Sequence, residues 1–596
     1  MDAVKSFKGY GKVDPVEEAA FKRKTRKRLI ILLVSLVVLV ALIVGVVVGT
    51  ITHKKNSKKN DGLNPSSTPT TSPSQSLKAV CSVTTHPDSC YTSISSIESS
   101  NLTTDPEKLF QLSLQVVHNS LQKLSALPPQ WISNYTTDNP RLKNALGVCQ
   151  TVFDDAIDAA NESISSFNVD DGGKDEKLLS VERINDLETW LSTSLTSLET
   201  CLDSLQEVNA TIIDEVKDLS KNSTEFASNS LAIVSKLLTI LSQFKIPIHR
   251  KLLSETETEA KAGHSLTDFP RWVRAADRRL LQTTNTNATK PNLVVAQDGS
   301  GDFTTISEAV AKIPQKSNTR FVIYVKAGVY KEKVRLSKSL WNVMMYGDGK
   351  DKTIVSFGDN FVDGTPTFNT ATFAVAGKNF IAKNMGFKNS AGAIKHQAVA
   401  FRSGSDQSVY YQCSFDAFQD TLYAHSNRQF YSECDITGTI DFIFGNSAVV
   451  FQNCNIQPRQ PLSNQFVTIT AQGKNDPNQN TGITIQNCDM SPLDNLKAST
   501  YLGRPWKAYS TTVIMQSSIG AFLDPQGWTE WVPNVDPPST IFYAEYQNTG
   551  PGSDVSKRVK WAGYKSSLTA SEASKYTVAS FINGPSWIPE SEVTFT

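Results

Sequence analysis

Cysteine and histidine are scarce in this 596-residue chain, and neither charge sign is in excess. Eight cysteines are too few for a disulfide scaffold, although they allow a few staples in an oxidising compartment. Lys plus Arg number 59 against 58 for Asp plus Glu, so the basic surplus of a phosphate-clamping protein is missing and nucleic-acid binding is not expected. Beyond Asn292 only His396 and His425 occur, with no metal-ligand spacing around either. His425 reads as a hydrogen-bonded structural residue. No Gly-x-Ser-x-Gly elbow is present, which removes one common hydrolase nucleophile. Asp298-Gly299-Ser300-Gly301-Asp302 lacks the third glycine and the Lys-Ser/Thr ending of a phosphate loop, and reads as a turn.

What is present begins with an apolar run. Leu29–Ile51 holds 23 residues without a charge, enough for the ~20 that cross a bilayer. Lys22, Arg23, Lys24, Arg26, Lys27 and Arg28 stand just before it, which predicts a cytosolic tail (1–28), a transmembrane signal anchor (29–51) and export of everything after it. Sequons at Asn101, Asn134, Asn161, Asn209, Asn222 and Asn287 suit passage through a glycosylating lumen. Residues 52–78 are a Ser/Thr/Pro-rich linker.

From 79 to 245 the period is helical. Phe110, Leu114, Val117, Leu121 and Leu124 step by 4, 3, 4 and 3 behind an Asp105-Pro106 start, and Leu191, Leu195, Leu198, Leu202 and Leu205 repeat the stepping. The expectation is a helical bundle without a catalytic cluster. Its cysteines are Cys81, Cys90, Cys149 and Cys201, and Cys81–Cys90 with Cys149–Cys201 is the pairing adopted among three connectivities. Residues 246–290 turn polar and basic and hold two tetrads, Arg250-Lys251-Leu252-Leu253 and Arg278-Arg279-Leu280-Leu281, which suit either proteolysis or a solvated charge run.

From 291 to 596 short β-rich runs alternate with turn residues. Cys413, Cys434, Cys454 and Cys488 recur in similar pentads at steps of 21, 20 and 34, a period that fits the stacked coils of a β-solenoid, the 34 marking an inserted loop. Asp420 and Asp441 share the 21-residue step. If one coil takes 21 residues, their carboxylates face each other across strands ~4.8 Å apart and become an acid plus a base or nucleophile. On spacing alone, two solvated surface aspartates fit as well.

Five ordered segments then match a known family: Gly328-Val329-Tyr330-Lys331-Glu332, Gln397-Ala398-Val399-Ala400, Gln419-Asp420-Thr421-Leu422-Tyr423, Asp441-Phe442-Ile443-Phe444-Gly445 and Leu502-Gly503-Arg504-Pro505-Trp506. In these the chain resembles plant pectin methylesterases over 291–596, and residues 79–245 resemble the pectin methylesterase inhibitor domain. The resemblance implies a right-handed parallel β-helix catalytic domain, preceded by an all-α four-helix-bundle pro-domain and the signal anchor. It implies hydrolysis of homogalacturonan methyl esters in the cell wall, with Asp441 as nucleophile, Asp420 as proton donor and then base, and Gln419 stabilising the oxyanion with Gln397 close by. Arg504 would hold the nucleophile, and Thr367 and Trp506 would contact substrate. No metal or organic cofactor is implied. The family often bridges the residues matching Cys413 and Cys434, and their one-coil step would let them stack at bonding distance; Cys454 and Cys488 continue the column. The implied partners are pectin, a subtilisin-like protease cutting after Leu281, and an inhibitor domain acting within or between molecules. A polygalacturonan-cleaving β-helix enzyme, or a regulator acting mainly through the bundle, are the competing readings.

Overall fold

The computed structural model describes residues 72–97, 103–135, 139–167, 181–243 and 290–588. The anchor Leu29–Ile51, its basic flank, both Arg-rich tetrads, Asn101 and Asn287 lie outside the described residues. Among the described residues no helix is long and apolar enough to cross a membrane.

The N-terminal part is all helix: α1 Pro73–Cys81, α2 Pro87–Ile97, α3 Pro106–Ser125, α4 Pro128–Tyr135, α5 Pro140–Ser165, α6 Val181–Glu207 and α7 Ile213–Gln243. The first five each begin at proline, which has no N–H to leave unpaired in the first turn and comes with a helical φ. Asp105 caps α3 by accepting the Glu107 amide at 2.9 Å, and Asn139 caps α5 by accepting that of Leu142 at 3.1 Å. The long helices α3, α5, α6 and α7 form the bundle, with Phe110, Leu114, Leu121, Leu191, Leu198 and Leu205 buried in its core. Disulfides Cys81–Cys90 and Cys149–Cys201 join α1 to α2 and α5 to α6, the expected pairing. Asn134, Asn161, Asn209 and Asn222 are exposed.

The C-terminal part is a parallel β-helix. Its strands lie in three parallel sheets of eleven, seven and eight strands, and successive coils add one strand to each. The pentads around the cysteines are corners of this prism. Gln412, Glu433, Asn453 and Asn487, each just before a cysteine, all take φ between 52° and 56° and turn the chain from one sheet to the next. Ser414, Asp435, Asn455 and Asp489 pair in register across coils, so the cysteines before them form a column. The long step between Cys454 and Cys488 holds a loop, residues 473–481, that leads from strand Val467–Gln472 into strand Gly482–Gln486.

The column is not oxidised, and the expected Cys413–Cys434 bridge is corrected here: all four thiols are free and buried. In-register residues on parallel strands keep their Cα–Cβ bonds parallel at the ~4.8 Å strand spacing. A disulfide needs its Cβ atoms roughly 3.5–4.5 Å apart and turned toward each other. The thiols hydrogen-bond to one another along the column and to backbone: Cys434 Sγ donates to Tyr410 O at 3.4 Å and Cys454 Sγ to Gln452 O at 3.4 Å.

Both parts belong to one compact unit, Pro73–Thr596. Along the seven-stranded sheet, Leu422, Ala424 and Ile443 point into the β-helix while Tyr423 and Phe444 point out. The outward side chains pack into the same apolar cluster as the bundle core, because α6 lies across this sheet.

Candidate active site

The site forms at the outward face of the seven-stranded sheet. Asp420 and Asp441 each stand two residues before a strand of that sheet, Leu422–Ala424 and Ile443–Gly445. Leu422 pairs with Ile443, so the 21-residue step stacks the two aspartates on adjacent coils. Both take left-handed backbone, φ 63° and 51°, a turn that aspartate tolerates better than bulkier residues. The Asp420 amide donates to Ile440 O at 3.0 Å and ties one turn to the next.

Asp441 is held from two sides. Arg504 Nε lies 2.9 Å from Asp441 Oδ1 and its Nη2 lies 2.6 Å from Oδ2, a two-pronged fork on a carboxylate that is 5% exposed. Thr468 Oγ1 donates to Asp441 Oδ1 at 2.6 Å and accepts the Asp441 amide at 2.8 Å. Arg504 is steadied by the Trp531 ring, 4.3 Å from its guanidinium. Asp420 lacks such a fork. Burial pushes its carboxyl well above the ordinary range, and the charges of Asp441 and Glu207 push the same way against Arg504. One carboxylate is clamped by a guanidinium and a hydroxyl, beside a neighbour whose carboxyl burial favours in the protonated form.

The remaining expected residues surround this pair. Gln419 adjoins Asp420, and its carbonyl accepts the Ala398 amide at 3.2 Å, which brings the Gln397 backbone alongside. Thr367 opens the short helix Thr367–Thr370 and is buried at 4% exposure. Trp506 stacks on Trp531 at 6.2 Å and lies 6.3 Å from Phe444, extending an aromatic floor. Gly473 makes room for that indole, since a Cβ there would sit 2.9 Å from Trp506 Cε3. His425 is structural: it is 2% exposed, Nε2 bonds Thr200 at 2.9 Å, and burial lowers it to about 3, leaving it neutral.

Sequence reasoning missed Thr468, Trp531 and the whole contribution of α6. Glu207 Oε2 accepts the Thr367 amide at 3.0 Å, while Glu199 and Asp203 both bond Lys507. Further back, Thr193 donates to Asn427 at 2.7 Å, Asn446 donates to Thr196 at 2.9 Å, and Gln479 donates to Ser192 O at 3.0 Å. The legible signal was a second stripe on α6 (Thr189, Thr193, Thr196, Thr200, Asp203, Glu207) at steps of 4, 3, 4, 3 and 4.

The family model described as Pectinesterase matches residues 292–585, and that of the plant invertase/pectin methylesterase inhibitor matches 75–233. The chain is 57% identical over 600 residues to Pectinesterase 3 of Phaseolus vulgaris, covering 100% of this chain and 99% of the relative. It is 58% identical over 603 residues to Pectinesterase 1 of Arabidopsis thaliana, with the same coverage of 100% and 99%. Among solved structures it is similar to pectin methylesterase from carrot, with 50% identity and a TM-score of 0.51 over 52% of this chain and 99% of that one.

Proposed function

The chain belongs to the pectinesterase family and is a carboxylic ester hydrolase acting on pectin methyl esters, and from that premise we propose how its own residues carry the reaction and its control. Asp441, held in place by the Arg504 fork and the Thr468 hydroxyl, attacks through a carboxylate oxygen the C6 carbonyl of a methyl-esterified galacturonate unit. The amides of Gln419 and Gln397 receive the oxyanion that forms. The tetrahedral adduct collapses as Asp420 gives its proton to the departing methoxide, leaving methanol and an acyl-Asp441 anhydride. Asp420, now a carboxylate, takes a proton from water as the water oxygen attacks C6; the bond from C6 to Asp441 breaks, both aspartates return to their starting forms, and the galacturonic acid released gives its proton to solvent. Trp506 and Thr367 hold the sugar against the pair. The observation that carries this reading is the asymmetry of the two stacked aspartates, one clamped by arginine and the other raised in pKa by burial.

The bundle is the second part of the proposal. Helix α6 covers the groove floor and sets Glu207 beside Asp420, which supports a latent precursor in which the inhibitor-type domain blocks its own enzyme. The precursor would be anchored by Leu29–Ile51, glycosylated at the six sequons and cut after Leu281 by a subtilisin-like protease, and the enzyme released to the cell wall. The exposure of Asn134, Asn161, Asn209 and Asn222 supports the glycosylation. The test is to follow methanol and new reducing ends together on esterified pectin. Methanol without reducing ends is expected, and new reducing ends in step with methanol would contradict the assignment of the aspartate pair to the ester.

A further inference from the structure

Lys507 follows Trp506, and its ammonium stands 5.2 Å from that ring's centroid. Its Nζ lies 2.6 Å from Glu199 Oε1 and 2.6 Å from Asp203 Oδ1, with the lysine side chain 16% exposed. The second oxygen of Glu199 accepts Asn475 Nδ2 at 3.1 Å. The backbone beneath is fixed, because the Lys507 amide donates to Ser510 Oγ at 3.0 Å. Both donors belong to the β-helix and both carboxylates to α6. With α6 docked, two carboxylates satisfy this cation; with α6 removed, the same ammonium and the Asn475 amide face the groove as donors for another carboxylate.

The place on the groove says which anion. Asp203 precedes Glu207 by one helical turn, about 6 Å, and Glu207 sits on Thr367 beside Asp420. That separation is on the scale of one sugar unit. A methyl ester has no charge to offer Lys507, whereas a free uronate offers the same group as Glu199 and Asp203.

We infer that Lys507 and Asn475 form a subsite for an unesterified galacturonate carboxylate near the ester under attack, and that Glu199 and Asp203 fill this subsite while the bundle is docked. The inference rests on the ester-hydrolysis reading above. It makes Lys507 a specificity-determining residue, one that favours chains already partly de-esterified.

The test uses enzyme expressed from the full-length chain and purified as the host processes it. Methanol release is measured on a fully methyl-esterified oligogalacturonide and on one of equal length with half its units free. Wild type should favour the partly free substrate in kcat/KM. Lys507→Met should lower that preference about ten-fold, mainly through KM, the scale of one lost charge-assisted hydrogen bond, and Lys507→Arg should keep most of it. Unesterified oligogalacturonide should inhibit wild type competitively and Lys507→Met about ten-fold more weakly. Equal preference in wild type and a folded Lys507→Met overturns the subsite. If the methionine variant does not fold, the wild type decides: inhibition by the free oligomer that weakens with added salt supports the subsite, and no inhibition, or inhibition indifferent to salt, overturns it. Wild type shown to be cleaved after Leu281 and free of the bundle that still releases no methanol from either substrate overturns the ester-hydrolysis roles instead.

Discussion

Glu207, the last residue of α6, accepts the backbone amide of Thr367 at 3.0 Å, so a carboxylate of the inhibitor-type bundle stands in the enzyme's groove beside Asp420. The same carboxylate helps hold the proton on Asp420. A group of the bundle therefore also perturbs the acid of the aspartate pair.

This contact predicts a pH dependence of latency. Burial lifts Glu207 to about 7, against its Thr367 hydrogen bonds and helped by Asp203. Burial likewise lifts Asp203 to about 6, against Lys507 and helped by Glu199. Glu188, facing Lys236 and Lys474, is raised by burial to about 7. A carboxyl raised by docking binds more protons docked than free, so docking is favoured at low pH and weakens as pH climbs from the ordinary carboxyl range through about 7. Uncleaved chain should show methanol release, relative to cleaved enzyme, rising by roughly ten-fold or more between about pH 5 and 8, and Glu207→Gln should flatten the rise. Stronger latency at the higher pH would reverse the sign and refute it.

The free cysteine column predicts a thiol count. After denaturation without reductant, alkylation should label Cys413, Cys434, Cys454 and Cys488, while Cys81, Cys90, Cys149 and Cys201 stay protected. In the native state burial should leave the column unlabelled. A peptide map that finds Cys413 joined to Cys434 would contradict the parallel-strand geometry given above.

Gly473→Ala tests the aromatic floor without touching a polar group. The new methyl would meet Trp506 Cε3 at 2.9 Å, too close to be tolerated unless the indole moves. A ring displaced by about 1 Å should cost roughly ten- to hundred-fold in kcat/KM with little loss of stability. Unchanged kinetics would mean that Trp506 does not position the sugar.

How much was legible follows from which residues face their own domain. The Leu stripes of α3 and α6 pointed to a bundle because they bury against sister helices, and the 21-residue step of Asp420 and Asp441 pointed to stacking because β-helix coils repeat. The outer stripe of α6 was legible as a helical period but not as an interface. Polar Thr193, Thr196 and Thr200 do not by themselves tell a solvated face from one covered by a second domain, and here they are buried at 6%, 5% and 4% exposure. Thr468 escaped for a related reason. It lies 27 residues from Asp441, across a coil longer than the 21-residue step, and only the register of strand Val467–Gln472 brings it to the carboxylate. The cysteine step was read rightly as a column and wrongly as a bond, since period carries no side-chain direction.

Arg504→Lys should be damaging although charge is kept. Two guanidinium nitrogens reach the two Asp441 oxygens at 2.9 and 2.6 Å, and a single ammonium cannot span both. A fall in kcat of about 10²-fold, with KM little changed, is expected for a loosened nucleophile. A kcat near wild type would show that the fork is dispensable.

The most direct measurement compares methanol release by folded Asp441→Ala and Asp420→Asn with wild type. Asp441→Ala should leave only trace release, because among the described residues Arg504 clamps no other carboxylate. Asp420→Asn keeps shape but has no proton to transfer, and should fall by ~10²–10⁴-fold. Release near wild type from a correctly folded Asp441→Ala would contradict the assignment of Asp441 as the nucleophile.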